Sequence, residues 1–250
     1  MATAVPLPRS PHQEPCMTHN LPNAAECVEA AGTAAKPEDL VRFLDHLWSV
    51  KVTEHLFDPW QQSNNDDLDE GAVARRRFAL AAHLSAPRPS LLCVGEAPGY
   101  RGCRVSGVPF TSEGQIGDAV IPRLTSMKTR FSVRPRPWRE GSATKVWGAL
   151  TAQGLEEATV LWNAVPWHPH PPGMPLQNRG PSSAEWLAGL RLLQMLLEAL
   201  PETTRVVAIG RVAEAALKRL NVDAYHVCHP AARSGARLFR EGIEAFASRL

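Results

Sequence analysis

Apolar positions along this chain occur in short blocks separated by longer stretches with helical spacing. The four clearest blocks lie at residues 91–94, 158–162, 205–209 and 224–228, and each is followed by a glycine, an asparagine or a histidine. Blocks of this length and setting predict buried strands. Helical spacing follows at about 142–153, 184–200 and 211–220, and again after Gly235. The alternation predicts a parallel sheet sandwiched by helices.

The first part of the chain has weaker patterns. Residues 1–36 mix proline, alanine and polar residues without periodicity and predict a flexible tail, so we expect the folded domain at 37–250. Apolar spacing within the domain predicts three earlier helices, at Pro37 to about Phe57, at 71–85, and at 114–127 with a kink or an end at Pro122.

Two arginine-rich segments leave alternatives open. The run Arg75-Arg76-Arg77 lies on a predicted helix and forms either a solvated face or a DNA-binding surface. Residues 128–140 form a basic loop in which Phe131 and Trp138 are interleaved. Rings among arginines suit stacking on bases and pairing with phosphates, while an ordinary proline-rich connector fits equally well.

Composition bounds the class of protein. A chain of 250 residues with 44% hydrophobic content can bury the core of one α/β domain. The formal net charge is only +2, and the excess of basic residues lies after residue 95. This distribution is a weak indication of binding to a phosphate backbone. No apolar run is long enough to span a membrane, and the first residues lack the apolar core of a secretory signal. Five unevenly spaced cysteines argue against a disulfide framework and fit a reducing compartment, so we expect a cytoplasmic protein.

The candidate chemistry lies in loops that follow the predicted strands. The first strand ends in GEAPG at 95–99, and GVPF follows at 107–110. The second strand ends in Asn163-Ala164-Val165, and the last in His229-Pro230-Ala231-Ala232. Because ligands bind beyond the carboxyl ends of parallel strands, we expect these loops to form one site.

Together these segments resemble the uracil-DNA glycosylase superfamily. The pair GEAPG and GVPF is similar to its first motif, with the letters of the iron–sulfur family 4 members and the spacing of the single-strand-selective monofunctional members. The asparagine segment, with Asn178-Arg179-Gly180-Pro181 and Glu185 after it, and the His-Pro segment match in the same order. The resemblance covers residues 91 to about 240. It implies a three-layer α/β/α sandwich with a central four-stranded parallel sheet.

The resemblance also implies roles for individual residues. His229 would donate a hydrogen bond to uracil O2 as the base leaves, or, in the plainer alternative, would only fasten its loop. Asn163 would bind O4 and N3–H of uracil through its amide, and Phe110 would stack on the extruded base.

Activation of the water is the least defined step. Ala97 occupies the motif position where several families have Asp or Asn, and Glu96 is the nearest acid, so Glu96 is the candidate base or electrostatic stabiliser. Gly99 stands where uracil-restricted members have a tyrosine that excludes the 5-methyl group of thymine. This substitution predicts room for 5-substituted uracils, which Tyr100 would partly fill.

The predicted DNA contacts are Arg233 and Ser234, in a loop that resembles the segment inserted into the minor groove, together with Arg179. The cysteine spacing does not match the iron–sulfur ligands of family 4, and no other ligand cluster accompanies His168 and His170, so we expect no cofactor and no metal.

The leading hypothesis is a monofunctional DNA glycosylase that flips and excises uracil, with other deaminated or 5-substituted bases open, from single- or double-stranded DNA. We expect a monomer without an obligate protein partner or membrane contact. A catalytically impaired relative that binds DNA damage is the alternative. An unrelated nucleotide-binding α/β protein is disfavoured because no strand is followed by G-x-G-x-x-G or a P-loop.

Overall fold

The computed structural model describes residues 21–32, 34–127 and 129–250. In chain order its helices are α1 (Ala24–Ala31), α2 (Pro37–Ser49), α3 (Ala72–Leu84), α4 (Cys103–Ser106), α5 (Glu113–Gly117), α6 (Gly141–Ala152), α7 (Ser183–Ala199), α8 (Arg211–Arg219) and α9 (Gly235–Ala247), and a 3-10 turn spans Pro122–Leu124. Its strands are β1 (Leu56–Phe57), β2 (Leu91–Gly95), β3 (Thr159–Asn163), β4 (His168–Pro169), β5 (Arg205–Ile209) and β6 (Tyr225–Val227). Within these residues no helix is both long and apolar enough to cross a membrane.

The central sheet has the strand order β3-β2-β5-β6, and all three pairings are parallel. The carboxyl ends of the strands therefore lie at one edge of the sheet. The register pairs Gly95 at the end of β2 with Asn163 at the end of β3. This register brings the first two sequence motifs side by side.

Both faces of the sheet are covered, which explains why its strands are continuously apolar. Successive side chains of a strand point to opposite faces. Leu92 and Val94 pack in a core with α2 and α7, whereas Leu91 and Cys93 pack in a second core with α6 and α9. The predicted α/β/α sandwich with a four-stranded parallel sheet is confirmed.

The amino-terminal expectation was wrong for part of its range. α1 lies inside the segment predicted as a tail, and Asn23 and Glu26 form a capping box at its start. Cys27 and Val28 are buried in the core below α2 and α3. Three buried positions in eight residues are too few for a periodicity to stand out in the sequence. Residues 1–20 lie outside the described residues.

Two predicted helices are shorter than expected. The helix from Pro37 ends at Ser49, and the apolar pair Leu56–Phe57 forms β1, which pairs antiparallel with β4. The helix predicted at 114–127 consists of α5 and the separate 3-10 turn. α5 ends at Gly117, Ala119 turns the chain in a left-handed conformation with a φ of 55°, and Pro122 begins the 3-10 turn.

The arginine run on α3 is neither a solvated face nor a DNA-binding surface. The guanidinium of Arg76 is fully buried and pairs with Asp67 at 2.7 Å. Arg77 lies over the ring of Trp48 at 4.5 Å, and only Arg75 is partly exposed, beside Asp69. Arg76 and Arg77 also donate hydrogen bonds to backbone oxygens, so these two buried arginines stabilise the fold.

The aromatic rings of the basic loop are also buried. Phe131 is completely inside the second core, and Trp138 is 9% exposed with Arg134 stacked on it at 3.9 Å. The sequence allowed these rings to stack on bases, and that expectation was wrong for Phe131.

Candidate active site

A cavity of about 360 Å³ lies at the carboxyl edge of the sheet, where β2, β3 and β6 end. It is lined by Glu96, Ala97, Pro98, Gly99, Phe110, Glu140, Ser142, Asn163, Asn178, Arg179, Gly180, His229 and Ala231. All three motif loops therefore contribute to one concave, mostly polar site.

Phe110 forms one wall of the cavity. Its ring lies directly over Gly95, where any added Cβ would collide with it. Phe110 has a φ of 50°, a left-handed conformation that bulky residues rarely adopt. The 107–110 turn thus holds a buried aromatic ring in a costly backbone conformation at the site, as functional positions often do.

Asn163 forms the neighbouring wall. The residue is 2% exposed, and its Oδ1 packs against Gly95. Among the described residues no hydrogen bond reaches its amide, although the side chain lines the cavity. A buried amide of this kind needs a partner, and the cavity is where a ligand can supply one.

His229 faces these groups from the loop after β6. Its ring centroid lies 6.4 Å from that of Phe110. Its Nδ1 accepts a hydrogen bond from the backbone N–H of Ala231 at 3.1 Å, so the neutral ring carries its proton on Nε2. Burial, and to a lesser extent the charge of Lys145, lowers the pKa of His229 below its ordinary value. At neutral pH the ring is an uncharged hydrogen-bond donor.

Helix α6 supplies a wall that no motif indicated. Its first residues place Glu140 and Ser142 in the cavity lining. The Glu140 carboxyl lies against the backbone of Gly99 and Gly102, and a Cβ on either glycine would collide with it. One turn further along, the Lys145 ammonium donates to Pro230 O at 3.1 Å and ties the helix to the His229 loop.

Glu96 lies in a different part of the cavity lining from Glu140. It lines the cavity, but it also lines an adjoining groove with Ser182, Ser183 and Arg211. Burial raises the pKa of its carboxyl above the ordinary value. The predicted acid is therefore at the site, but at its margin.

Gly99 and Ala97 line the cavity as predicted, whereas Tyr100 does not. The Tyr100 hydroxyl accepts a hydrogen bond from Arg101 at 2.7 Å, and its ring faces a separate cavity of about 570 Å³ beside Trp138. The open space expected next to Gly99 is occupied by the Glu140 carboxyl instead. The motif around Gly99 could not indicate that this space is filled, because Glu140 belongs to another part of the chain.

Arg179 lines the cavity but is committed to the protein. Its five N–H groups donate to His170 O, Gly180 O, His55 O and both carboxyl oxygens of Glu185. No N–H of Arg179 is left to donate to a phosphate. The contact of Arg179 with DNA stays a prediction, and these hydrogen bonds disfavour it. Arg179 instead fixes the loop before α7, where Ser182 and Glu185 form a capping box.

Arg233 and Ser234 are exposed on the loop beside the cavity and do not line it. Ser234 has a φ of 59°, so it turns the chain into α9 in a left-handed conformation. An exposed arginine next to the His229 wall is compatible with the predicted groove contact.

His168, the first of the two histidines after β3, is structural. His168 Nδ1 faces Arg104 Nη1 at 3.1 Å, and His168 Nε2 faces Asn178 Oδ1 at 3.0 Å. Burial, with the nearby Arg104, lowers the pKa of His168 to about 3, so it is neutral. Within the described part of the chain no group of three or more His, Cys, Asp or Glu could hold a metal ion.

Comparisons with known proteins identify the superfamily and the fold. Residues 82–247 match the Uracil DNA glycosylase superfamily, so the chain belongs to that superfamily. A solved structure described as wild-type SMUG2 of Pedobacter heparinus has the same fold, with a TM-score of 0.60 over 85% of this chain and 95% of that one at 13% identity. No curated protein matches the chain.

The sequence predicted the motif walls and missed the α6 wall. Glu140 and Ser142 belong to no motif, and Asn178 was noted only as part of a segment. The one available signal was the pair Gly99 and Gly102, because closely spaced glycines often mark a close approach. The glycine pair indicates that some group packs closely against the backbone there, but it does not identify that group.

Proposed function

We propose that this protein is a monofunctional DNA glycosylase that hydrolyses the bond between deoxyribose C1′ and the ring nitrogen of uracil. The observation that carries the proposal is the convergence of three groups on one cavity: the ring of Phe110, the amide of Asn163, which has no hydrogen bond among the described residues, and the Nε2 donor of His229. A base can reach such a cavity only after it leaves the DNA stack.

The cavity walls suit uracil. Phe110 offers a flat apolar face, and the amide of Asn163 offers one donor and one acceptor in a plane. These match O4 and N3–H of uracil. In cytosine the donor and the acceptor exchange places, so binding cytosine requires the amide to turn over against Gly95.

His229 suits the departure of the base. As the C1′–N1 bond breaks, its electron pair leaves with the base, and negative charge develops on O2. A neutral Nε2–H donor pre-aligned at that oxygen stabilises the charge without reorganisation, and such donors contribute on the order of 10²–10³ in rate. The nearby Lys145 adds a favourable positive potential.

The description as monofunctional rests on the lysines. Lys145 donates to Pro230 O and does not line the cavity, and among the described residues no lysine lines it, so none of these amines is placed to attack C1′. The product would be an abasic site with both strands intact. We further propose DNA as the partner, with Arg233 beside the cavity as a contact, and the cytoplasm as the location.

A second candidate function is recognition of damaged DNA without cleavage. Ala97 favours it, because the motif position that carries an acid or an amide in several families holds no polar group here. The Nε2 donor of His229, which suits the charge on a leaving base, favours the enzyme.

The test uses oligonucleotides with one uracil, single-stranded and paired with guanine or adenine. After incubation, alkali converts abasic sites into strand breaks. We expect breaks with the wild type and at least about 100-fold slower formation with His229→Ala or Asn163→Ala. The matched control is His226→Ala, since His226 is an exposed histidine three residues earlier on β6.

Breaks that persist at the wild-type rate in both variants would contradict the assignment of the cavity. Retention of uracil-containing DNA in a gel-shift assay without any breaks would favour the binding function.

A further inference from the structure

Glu140 directly precedes helix α6 but does not cap it with its side chain. It is the N-cap residue of α6, and its side chain makes no hydrogen bond to that helix. The carboxyl turns instead toward the cavity and lies against Gly99 and Gly102. The start of α6 thus places an acid in the site without a hydrogen bond to the helix.

The carboxyl of Glu140 has no protein partner. Among the described residues no hydrogen bond or ion pair reaches it, while Glu113, an acid of the same region, accepts from five donors. Glu140 is half-buried, and the loss of solvation opposes ionisation of its carboxyl. A carboxyl in such a position, in contact with a ligand cavity, is a candidate for chemistry.

Resting on the proposed function, we propose that Glu140 is the catalytic base that activates the attacking water. The water oxygen bonds to C1′ as the C1′–N1 bond breaks. One water proton passes to a Glu140 carboxyl oxygen, and the electron pair of the broken bond leaves with uracil, whose O2 accepts a hydrogen bond from His229. The products are the abasic sugar and the uracil anion, which solvent then protonates.

The electrostatics of the cavity support this role. Burial raises the pKa of Glu140 to about 7, and no other cause offsets it. A base is most effective when its pKa lies near the working pH, because it is then both ionised and basic enough to accept a proton. At neutral pH a large fraction of Glu140 is available as carboxylate.

The other acid of the lining is less well placed. Glu96 and Glu140 are the two carboxylates of the cavity among the described residues, and Glu96 also contacts the side groove with Ser182 and Arg211. A purely structural role for Glu140, filling the space over the two glycines, is the remaining alternative. A glutamine would fill that space equally well.

The experiment measures single-turnover excision of uracil from pH 5.5 to 9 for the wild type, Glu140→Gln and Glu96→Gln. Glu244→Gln, an exposed acid on α9, is the control. We expect the wild-type rate to rise with pH to a plateau with a midpoint near 7. In Glu140→Gln the rate falls by at least about 100-fold and this rise disappears, while affinity for abasic-site DNA changes by less than about threefold.

A Glu140→Gln variant that keeps the wild-type rate and profile would overturn the inference, as would loss of the rise in Glu96→Gln instead. If Glu140→Gln does not fold, the pH profile of the wild type decides the question. An excision rate that stays flat or falls through pH 7 contradicts a catalytic base that becomes ionised near that pH. Failure of the wild type to excise any base is a separate outcome, because it contradicts the proposed function itself.

Discussion

Two glutamates, Glu113 in α5 and Glu140 at the end of the 129–139 loop that Glu113 binds, show how the same side chain serves opposite purposes. Glu113, at the start of α5, accepts hydrogen bonds at 2.7–3.0 Å from Arg130, Phe131, Ser132 and Trp138. Glu140, at the start of α6, accepts none among the described residues. The first carboxylate fixes the loop, and the loop presents the second to the cavity.

The protonation behaviour of the two acids follows from these contacts. Burial works against ionisation of both. At Glu113 the hydrogen bonds, led by that of Arg130, outweigh it and lower the pKa, whereas at Glu140 nothing offsets it and the pKa rises to about 7. A satisfied carboxylate stabilises structure, and an unsatisfied one is kept reactive.

The largest effect is expected for Glu113→Ala. Removing the carboxylate leaves buried backbone N–H groups and the Nε–H of Arg130 without an acceptor, so the free energy of unfolding should fall by about 3–5 kcal/mol. Urea denaturation followed by circular dichroism measures it. A loss below about 1 kcal/mol would show that the loop does not depend on this acid.

Acidification should weaken the same contacts more gradually. The folded pKa of Glu113 lies below its ordinary 4.5, so its stabilising contribution is fully present above about pH 4.5 and is lost as pH falls through the folded pKa. Urea titrations of the wild type and Glu113→Gln should therefore converge in stability on acidification below pH 4.5. A difference that stays constant would contradict the assignment.

Gly99→Ala should affect activity more than stability. The added Cβ occupies the position of the Glu140 carboxyl, which must move. We expect excision about tenfold slower, on the order of 1.4 kcal/mol in the barrier. The control is Gly117→Ala, where a Cβ meets nothing within 4 Å. Equal rates in the two variants would show that the placement of Glu140 is not critical.

The smallest effect is a gain in stability for Glu140→Gln. Because the folded pKa of Glu140 is raised, the wild type loses stability as pH rises from about 4.5 through 7. The glutamine variant should be more stable by about 1 kcal/mol above pH 7 after allowance for solvent contact, and equally stable near pH 4.5. Thermal melts at the two pH values measure it, and no gain at high pH would indicate a hidden partner for the carboxyl.

The sheet could be predicted from sequence because its strands are buried on both faces and end in distinctive residues. Strand ends at Gly95 and Asn163 located two of the loops within one or two residues. Short elements could not be predicted in the same way. α1 buries too few positions to show a period, and β1 has only two residues, paired with the distant β4.

The site was predictable only where a motif marks it. Phe110, Asn163 and His229 converge as the order of the motifs indicated. The placement of Glu140 depends instead on the path of the 129–139 loop, which Glu113 fixes through contacts across more than fifteen residues. The burial of Arg76 likewise depends on its pairing with Asp67, which composition alone cannot reveal.

Release of free base tests the central claim most directly. The protein is incubated with oligonucleotides that contain a single uracil, or thymine or cytosine at the same position, and the liberated bases are separated and quantified. We expect uracil, released in proportion to abasic sites by the wild type and by His226→Ala but not by His229→Ala. Equal release of cytosine, or bound DNA from which no base is ever freed, would contradict the account.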